Sequence, residues 1–316
     1  MGGGGVKQLD LPLVSVVIPT FNRASLVGRA IRSVLAQSFH GWELWVVDDA
    51  SVDDTKSVVA SFDDARIQYI CHRCNRGQSA AQNTGIARAR GDWISFLDSD
   101  DEWEGEKLSC EAERIRSLGD SVALLYCGKR IREEEGRLLR LRMPTTEGRV
   151  YQSLLAWDFI GSCSRVTVRR EALLEAGGYD ENLVNSQDWD LWLRIAKRYE
   201  VAAVRRCLVT RYLGADQVTG SLRAICRGKE QILRKHGGDM PPKVRANHLA
   251  ALATMLMNYD TAKGRATAYQ AIQLDWRQPS LFAALLCSVL GQSLYRRLFS
   301  AATRRLHGLY IGHAKI

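Results

Sequence analysis

Apolar runs of strand length alternate with amphipathic helix patterns through the first hundred residues of this chain. Strands that are apolar throughout, rather than at every second position, belong to sheets with both faces covered. Alternating strands and helices produce a parallel sheet whose crossovers are right-handed. We therefore predict an α/β fold with a mainly parallel, Rossmann-like sheet flanked by helices. The predicted strands are Leu13–Ile18, ended by Pro19, then Trp42–Val47, Arg66–Cys71 and Trp93–Leu97, and the predicted helices are Ala24–Ser38, Asp53–Ser61 and Ser79–Arg90.

Aromatic and acidic side chains follow three of these strands. Phe21 comes after the first strand, Asp49 after the second and Asp98 after the fourth. In open α/β sheets, ligands bind beyond the carboxyl ends of the strands. We therefore expect the three loops to converge on one binding site.

The loop after the fourth strand carries three carboxylates within four residues, namely Asp98, Asp100 and Asp101. Clustered anionic groups repel one another, and a cation can compensate this repulsion. Carboxylate oxygens suit hard divalent ions such as Mg2+ or Mn2+, which in turn bind substrate phosphates. The pattern predicts a metal site that holds a diphosphate. The alternative is that Asp100 or Asp101 caps a helix that follows it.

The chain is less regular up to about residue 221 and helical beyond it. The patterns predict a flexible leader over residues 1–10, an α/β domain over 11–221 and a helical C-terminal extension over 222–316. The predicted elements are strands at Val122–Tyr126, Arg165–Val168 and Val201–Val209, and helices at Arg170–Ala176, from Gln187 onward, and at Ala246–Asn258, Ala262–Leu274 and Ser280–Phe299.

The formal net charge of +9 comes from the C-terminal extension. Residues 222–316 contain 15 Lys and Arg against 4 Asp and Glu, whereas the other residues contain 29 against 31. The last predicted helix has an apolar stripe, and four arginines lie near its end and beyond it. Two interpretations stay open: a helix that packs on the α/β domain, or an interfacial helix on an anionic membrane surface. No nucleic-acid-binding module is recognisable, so we do not expect nucleic acid as a partner.

The chain has no apolar run of about 18 residues, so we predict no membrane-spanning helix. Its first residues, MGGGGVKQLD, lack the apolar segment of a secretory signal. Cys71 and Cys74 form a close pair among eight cysteines, without a second pair at that spacing. We therefore expect free thiols rather than a zinc site. The expected location is the cytoplasm, with peripheral attachment to the inner face of the membrane as the alternative.

Five sequence segments carry a resemblance to a known family: VSVVIPTFNR, VVDDASVDDT, NRGQSAAQNTGIARARGDWISFLDSDD, GGYDENL and QDWDLWLR. Their order and spacing resemble those of family 2 glycosyltransferases over about residues 14–221. The resemblance implies a GT-A fold and an inverting hexosyltransferase that moves a sugar from a nucleotide-sugar donor to an acceptor hydroxyl. It implies Mn2+ or Mg2+ as cofactor. By family analogy, the acceptor would be a glycan or lipid-linked glycan in bacterial polysaccharide synthesis.

The resemblance also implies a donor site. Phe21 would stack on the nucleotide base, Asp49 would accept a hydrogen bond from the base, and Arg23 would lie near the phosphates. A segment around Gly77 would close over the nucleotide. The implied nucleotide-binding residues are Pro19, Phe21, Arg23, Asp49, Arg73, Asn75, Gly77, Asn83, Asp98 and Ser99, and the implied metal ligands are Asp98, Asp100 and Asp101.

The implied catalytic base is Asp188, which would take the proton from the acceptor hydroxyl. Asp190 is the rival, although two positions along a helix place it on a different face. The family usually has Glu immediately before this Asp, and Gln187 removes one charge here. The residues implied at the acceptor or sugar are Gly161, Ser162, Gln187, Trp189 and Arg211, with Trp157 as a further candidate and Trp192 expected in the core.

Two other classes of function compete with this interpretation. The first is a non-catalytic module that binds a nucleotide or a sugar and keeps the same fold. Intact Asp98, Asp100 and Asp188 argue against it. The second is a basic surface-binding protein whose tail carries the function. A nucleotidyltransferase is not favoured, because it would need a glycine-rich loop where this chain has Pro19-Thr20-Phe21-Asn22.

Overall fold

A computed structural model gives the fold of residues 14–213, 221–277 and 279–289. The strands are β1 (Val14–Thr20), β2 (Trp42–Asp48), β3 (Ile67–Cys71), β4 (Trp93–Phe96), β5 (Asp101–Trp103), β6 (Val122–Glu133), β7 (Leu138–Arg142), β8 (Val166–Arg169) and β9 (Glu200–Leu213). The helices are α1 (Val27–Leu35), α2 (Thr55–Ala60), α3 (Gln78–Arg88), α4 (Lys107–Arg116), α5 (Tyr151–Ala156), α6 (Arg170–Glu175), α7 (Gln187–Ala196), α8 (Leu222–His236), α9 (Pro242–Leu256), α10 (Thr261–Leu274) and α11 (Pro279–Val289), with a 3₁₀ turn at Cys163–Arg165.

The strands of the described residues form one nine-stranded sheet. Eight of them follow the order β3-β2-β1-β4-β8-β6-β9-β5, and β7 pairs with β6. The first four are parallel, with Val14 opposite both Trp42 and Trp93. This half confirms the predicted Rossmann-like arrangement. It places the ends of β1, β2 and β4 at one edge of the sheet.

The other half of the sheet is mixed rather than parallel. Strand β8 runs antiparallel to β4 and β6, and β5 runs antiparallel to β9. Strands β6 and β9 are parallel to each other. Alternation of strands and helices predicts parallel pairing only for β-α-β units. Beyond β4, short strands and turns break that alternation, so the sequence pattern carried no information on strand direction there.

Several element bounds differ from the predicted ones. Strand β1 continues through Pro19 to Thr20, because β2 pairs with it along its whole length. On its other side, β4 pairs with β1 only as far as Val17. The missing N–H of Pro19 therefore lies beyond that ladder. Strands β5 and β7 and helices α4 and α5 were not predicted, since their short or mixed patterns lack a clear period. Strand β6 extends to Glu133, well past the predicted Tyr126.

The main core lies between the sheet and its helices. All seven residues of β1 are buried, which explains why its apolar pattern is continuous. Helix α1 turns Val27, Ile31 and Val34 towards this core. Helix α3 packs closely on β1 at Gly85, where a side chain would collide with Val17.

The chain divides into two compact units. The second unit has an apolar core of its own, in which Ala253 of α9 and Met257 just after this helix pack with Ala268 of α10 and Leu281 of α11. No helix in the described ranges combines the length and hydropathy needed to cross a bilayer. The first unit comprises the described residues within Met1–Tyr151, Phe159–Glu181 and Asp188–Ala215, and the second those within Gln152–Asp158, Asn182–Gln187 and Asp216–Ile316.

Two short segments inside the predicted α/β domain thus belong to the helical unit. The predicted helix Ser280–Phe299 is observed as α11, and its part beyond Val289 lies outside the described residues. The predicted leader also lies outside them.

The packing of α3 on β1 makes Gly85 sensitive to substitution. A Cβ at Gly85 would lie 2.3 Å from Val17 Cγ1. We expect Gly85→Ala to lower the free energy of unfolding by about 1–3 kcal/mol through overpacking, measured by chemical denaturation. Gly119→Ala is the control, because its Cβ would meet no atom within 4 Å. Equal effects of the two variants would contradict this account of the interface.

Candidate active site

The three predicted metal carboxylates lie in a tight turn between β4 and β5. The N–H of Asp101 donates to the carbonyl of Asp98 at 3.0 Å. Asp101 then begins β5 rather than a helix, and α4 starts only at Lys107. The alternative that Asp100 or Asp101 caps a following helix is therefore wrong. The turn lies at the carboxyl end of β4, where a ligand site is expected.

Burial and, after it, the crowding of negative charge determine the electrostatics of this turn. Burial and the neighbouring Asp100 raise the pKa of Asp98 above its usual range. Burial, helped by Asp98 and Asp100, raises the pKa of Asp101 to about 7. Arg211 acts in the opposite direction on both groups and lies opposite Asp101 in the β5–β9 ladder. A cation with hard-ligand preferences would relieve this repulsion.

The 3₁₀ turn at Cys163–Arg165 joins the acidic turn to helix α7. The N–H of Cys163 donates to Asp188 Oδ2 at 3.2 Å, and its thiol donates to Asp98 Oδ1 at 3.3 Å. Ser164 Oγ accepts from the N–H of Asp98 at 3.0 Å. The predicted base and a predicted metal ligand thus meet on either side of one residue. Sequence reasoning reached Gly161 and Ser162 but missed Cys163, because no local pattern marks it.

The two acidic residues of α7 have different surroundings. Asp190 is completely buried, and its carboxylate forms an ion pair with Arg194 at 2.8 Å. That pairing gives Asp190 a structural role. Asp188 is only partly buried and faces the 3₁₀ turn. The assignment of the base to Asp188 stays a prediction, and this geometry favours it over Asp190.

Asp49 organises the loop that precedes α3. Its carboxylate accepts from the N–H groups of Arg76 at 2.9 Å and Gly77 at 2.6 Å. It also contacts His72 Nδ1 at 2.7 Å, and the other ring nitrogen of His72 lies 2.9 Å from Thr84 Oγ1. Gly77 has a φ of 91°, which glycine adopts readily. Sequence reasoning missed His72, although it lies within the cysteine pair that it examined.

The loops after β1 and β2 are tied together as expected for one site. The N–H of Asn22 donates to Ser51 Oγ at 2.8 Å, and Asn22 Oδ1 accepts from the N–H of Val52 at 2.9 Å. Phe21 is 43% exposed, so its ring is open to a stacking partner. The N–H of Arg23 donates to Thr55 Oγ1. The remaining predicted nucleotide-binding residues are Pro19 and Ser99, both buried, and Arg73 and Asn75, both exposed.

Asn83 is bonded to the segment around Tyr179, and its predicted place near the nucleotide stays a prediction. Its side chain accepts from the N–H of Tyr179 at 2.8 Å and donates to the carbonyl of Tyr179 and to Glu181, each at 2.9 Å. These bonds occupy the amide and hold the GGYDENL segment against α3. Gly178 is required beside it, because a Cβ there would lie 2.6 Å from Asn83 Oδ1.

The residues predicted at the acceptor or sugar are not all accessible. The carbonyl of Gly161 accepts from the ring N–H of Trp192, which is fully buried. Ser162 Oγ lies 3.3 Å from the ammonium of Lys129. Burial, reinforced by Arg165 and Arg211, lowers the pKa of Lys129 to about 7.

Trp189 was predicted at the acceptor or sugar, and this prediction needs correction. The residue is 8% exposed and offers little surface to a sugar. Gln187 and Trp157 belong to the second unit. There Gln187 donates to the carbonyl of Leu183, and Trp157 is an exposed ring.

Comparison with known sequences identifies the family. The profile of Glycosyl transferase family 2 matches residues 15–175, which is just over half of the 316-residue chain. The chain therefore belongs to this family, as its motifs predicted, and is a glycosyltransferase that uses a nucleotide-sugar. One relative is UDP-Glc:alpha-D-GlcNAc-diphosphoundecaprenol beta-1,3-glucosyltransferase WfgD of Escherichia coli. It is 32% identical over 196 residues, covering 62% of this chain and 74% of the relative.

Solved structures confirm the GT-A fold. The structure of S. aureus TarS 1-349 in complex with UDP-GlcNAc aligns with a TM-score of 0.58 at 16% identity, covering 90% of this chain and 91% of that one. The mannosyltransferase PcManGT from Pyrobaculum calidifontis, in complex with GDP-Man and Mn2+, aligns with a TM-score of 0.53 at 18% identity. That alignment covers 93% of this chain and 87% of the other. Transferases of this fold commonly use a divalent metal. A non-catalytic binding module is not favoured.

Proposed function

We propose that this chain is an inverting, metal-dependent transferase in which Asp188 is the general base. Asp98 and Asp100 would hold the cation against the donor diphosphate. The observation that carries this proposal is the convergence of Asp98 and Asp188 on Cys163, at 3.3 and 3.2 Å. A base and a metal-binding carboxylate held this close can act on two sides of one bound sugar.

The acidic turn fits a cation that the substrate helps to bind. No group of three or more His, Cys, Asp or Glu side chains that could hold a metal ion is found among the described residues, so the proposed site depends on two carboxylates and the donor phosphates. Mg2+ and similar ions are usually held by one or two carboxylates together with substrate phosphates. Burial and the neighbouring Asp100 raise the pKa of Asp98, and a bound cation would favour its charged form. Asp101, predicted as a third ligand, is buried in β5, and we assign it a supporting charge.

The chain's own residues then have separate tasks. Asp188 accepts the proton of the acceptor hydroxyl, so that the oxygen can attack the anomeric carbon. Phe21 stacks on the nucleotide base of the donor. Arg211, which lies opposite Asp101 in the β5–β9 ladder, contacts the donor phosphate. The chemistry that a bound divalent cation supplies is neutralisation of charge on the departing diphosphate. Attack from the face opposite the leaving group inverts the anomeric configuration.

The donor proposal predicts stabilisation by one nucleotide in the presence of metal. We expect UDP, GDP, TDP or CDP to raise the melting temperature with Mn2+ and not without it. Ligand at about a hundred times its Kd adds about 2.7 kcal/mol to the unfolding free energy. Asp100→Ala should abolish the shift, whereas Asp63→Ala, at an exposed position, should keep it. No shift with any nucleotide would contradict the donor site.

The proposal that Asp188 is the general base predicts different effects when each of the two acids of α7 is replaced. Asp188→Asn should lower the transfer rate by about 10²–10⁴-fold, because proton transfer is lost, while nucleotide binding persists. Asp190→Asn is the control. It removes the buried carboxylate charge that pairs with the half-buried Arg194. The free energy of unfolding should fall by about 3 kcal/mol, whereas turnover per folded molecule should change little. Transfer assays and thermal unfolding distinguish these outcomes, and full activity in Asp188→Asn would rule out its role as base.

We further propose a lipid-linked glycan acceptor and a cytoplasmic enzyme that binds the inner membrane surface through its C-terminal helices. The family relative WfgD is named for a diphosphoundecaprenol acceptor. In the second unit, Phe282 and Leu286 of α11 are 50% and 71% exposed and lie four residues apart, hence on one helix face. Trp276 is 69% exposed just before this helix. Basic residues of the extension would add attraction to anionic lipid.

Membrane binding is tested with vesicles of neutral and anionic lipid. We expect the chain to co-sediment with vesicles containing phosphatidylglycerol and to release as salt rises, because the attraction is screened. Phe282→Ser with Leu286→Ser should reduce binding by about tenfold or more, since two exposed apolar side chains no longer insert. Leu174→Ser, on α6 of the first unit, is the matched control. Unchanged binding of the double variant would remove α11 from the proposal.

A further inference from the structure

One buried residue contacts both the proposed base, Asp188, and a proposed metal ligand, Asp98. Cys163 is fully buried, and its backbone N–H reaches Asp188 while its thiol reaches Asp98. The two contacts come from different parts of the same residue. Any movement of Cys163 would therefore displace its bonds to both carboxylates together.

The turn that contains Cys163 is held from three directions. The ring N–H of Trp103 donates to the carbonyl of Ser164 at 2.9 Å. The guanidinium of Arg165 donates to the carbonyls of Cys127 at 2.6 Å and Ile160 at 2.7 Å. These bonds fix the backbone on either side of Cys163. These hydrogen bonds therefore anchor the turn that carries Cys163.

Helix α3 fixes the direction of the thiol. Gln82 Nε2 donates to Cys163 Sγ at 3.4 Å, so the sulfur serves as acceptor on that side. Its proton is then directed to Asp98 Oδ1, which also accepts from Gln78 Nε2 at 2.9 Å. A thiol is a weak donor. It can orient Asp98 while leaving most of the carboxylate's bonding capacity for another ligand.

We propose that Cys163 is a positioning residue that sets the separation and orientation of Asp98 and Asp188. The proposal rests on the metal and base roles assigned to these two acids. Partners of metal ligands typically change metal affinity or activity by about 10–100-fold when they are replaced. Cys163 itself contacts no reacting atom in this scheme. Its effect is exerted through the two carboxylates.

The test measures Mn2+ binding directly as well as turnover. Mn2+ is titrated by electron paramagnetic resonance, with the nucleoside diphosphate that most stabilises the wild-type chain. We expect Cys163→Ala to raise the Mn2+ Kd by about tenfold and to lower kcat more than it raises the acceptor KM. Cys163→Ser keeps a donor and should restore most of the affinity. If the alanine variant does not fold, Cys163→Val fills the volume without a donor and replaces it.

Cys226→Ala is the matched control, because Cys226 is equally buried but belongs to α8 of the second unit. It should leave the Mn2+ Kd and kcat unchanged, even if both alanine variants lose similar stability. Wild-type values in Cys163→Ala, alongside inactive Asp98→Asn and Asp188→Asn, would overturn the positioning role alone. Active Asp98→Asn and Asp188→Asn, or a wild-type chain that binds no Mn2+, would instead overturn the roles of the acids and the proposal with them.

Discussion

Repulsion among Asp98, Asp100 and Asp101 is the constraint on which the site depends. The turn between β4 and β5 packs three carboxylates at the end of a buried strand, where burial already disfavours charge. Arg211 on β9 lies beside the turn, and two neutral donors, the thiol of Cys163 and the amide of Gln78, bond to Asp98. None of these groups cancels the charge. In the proposed function, a cation bound together with the donor diphosphate would compensate the remaining negative charge.

The parallel half of the fold followed from sequence because its signals are local. Continuous apolar runs such as Trp93–Leu97 predict strands, and the polar residues after them predict the edge at which ligands bind. Acidic clustering at Asp98–Asp101 indicated a metal site for the same reason. The family motifs added Asp188, which periodicity alone could not have identified as a base.

What the sequence did not predict are contacts between segments far apart in the chain. Cys163 meets Asp98 across 65 positions, and Asn83 meets Tyr179 across 96. Such pairs have no shared period and no capping pattern, so nothing local marks them. The antiparallel strands beyond β4 were missed for a related reason, since strand direction there is decided by long-range pairing. Trp189 was expected at the acceptor because it follows Asp188 in the sequence, but the structure buries it.

Helix α3 contacts three separate parts of the site. Gln78 binds the acidic turn, Gln82 binds the cysteine of the 3₁₀ turn, and Asn83 clamps the segment at Tyr179. Its first residue follows the loop that Asp49 organises. A chimera that exchanges donor specificity between related transferases would usually be cut between an N-terminal and a C-terminal half. In this chain α3 lies in the first half but contacts Cys163 and Tyr179 in the second. Recombination would therefore have to carry the helix together with its partners in both halves.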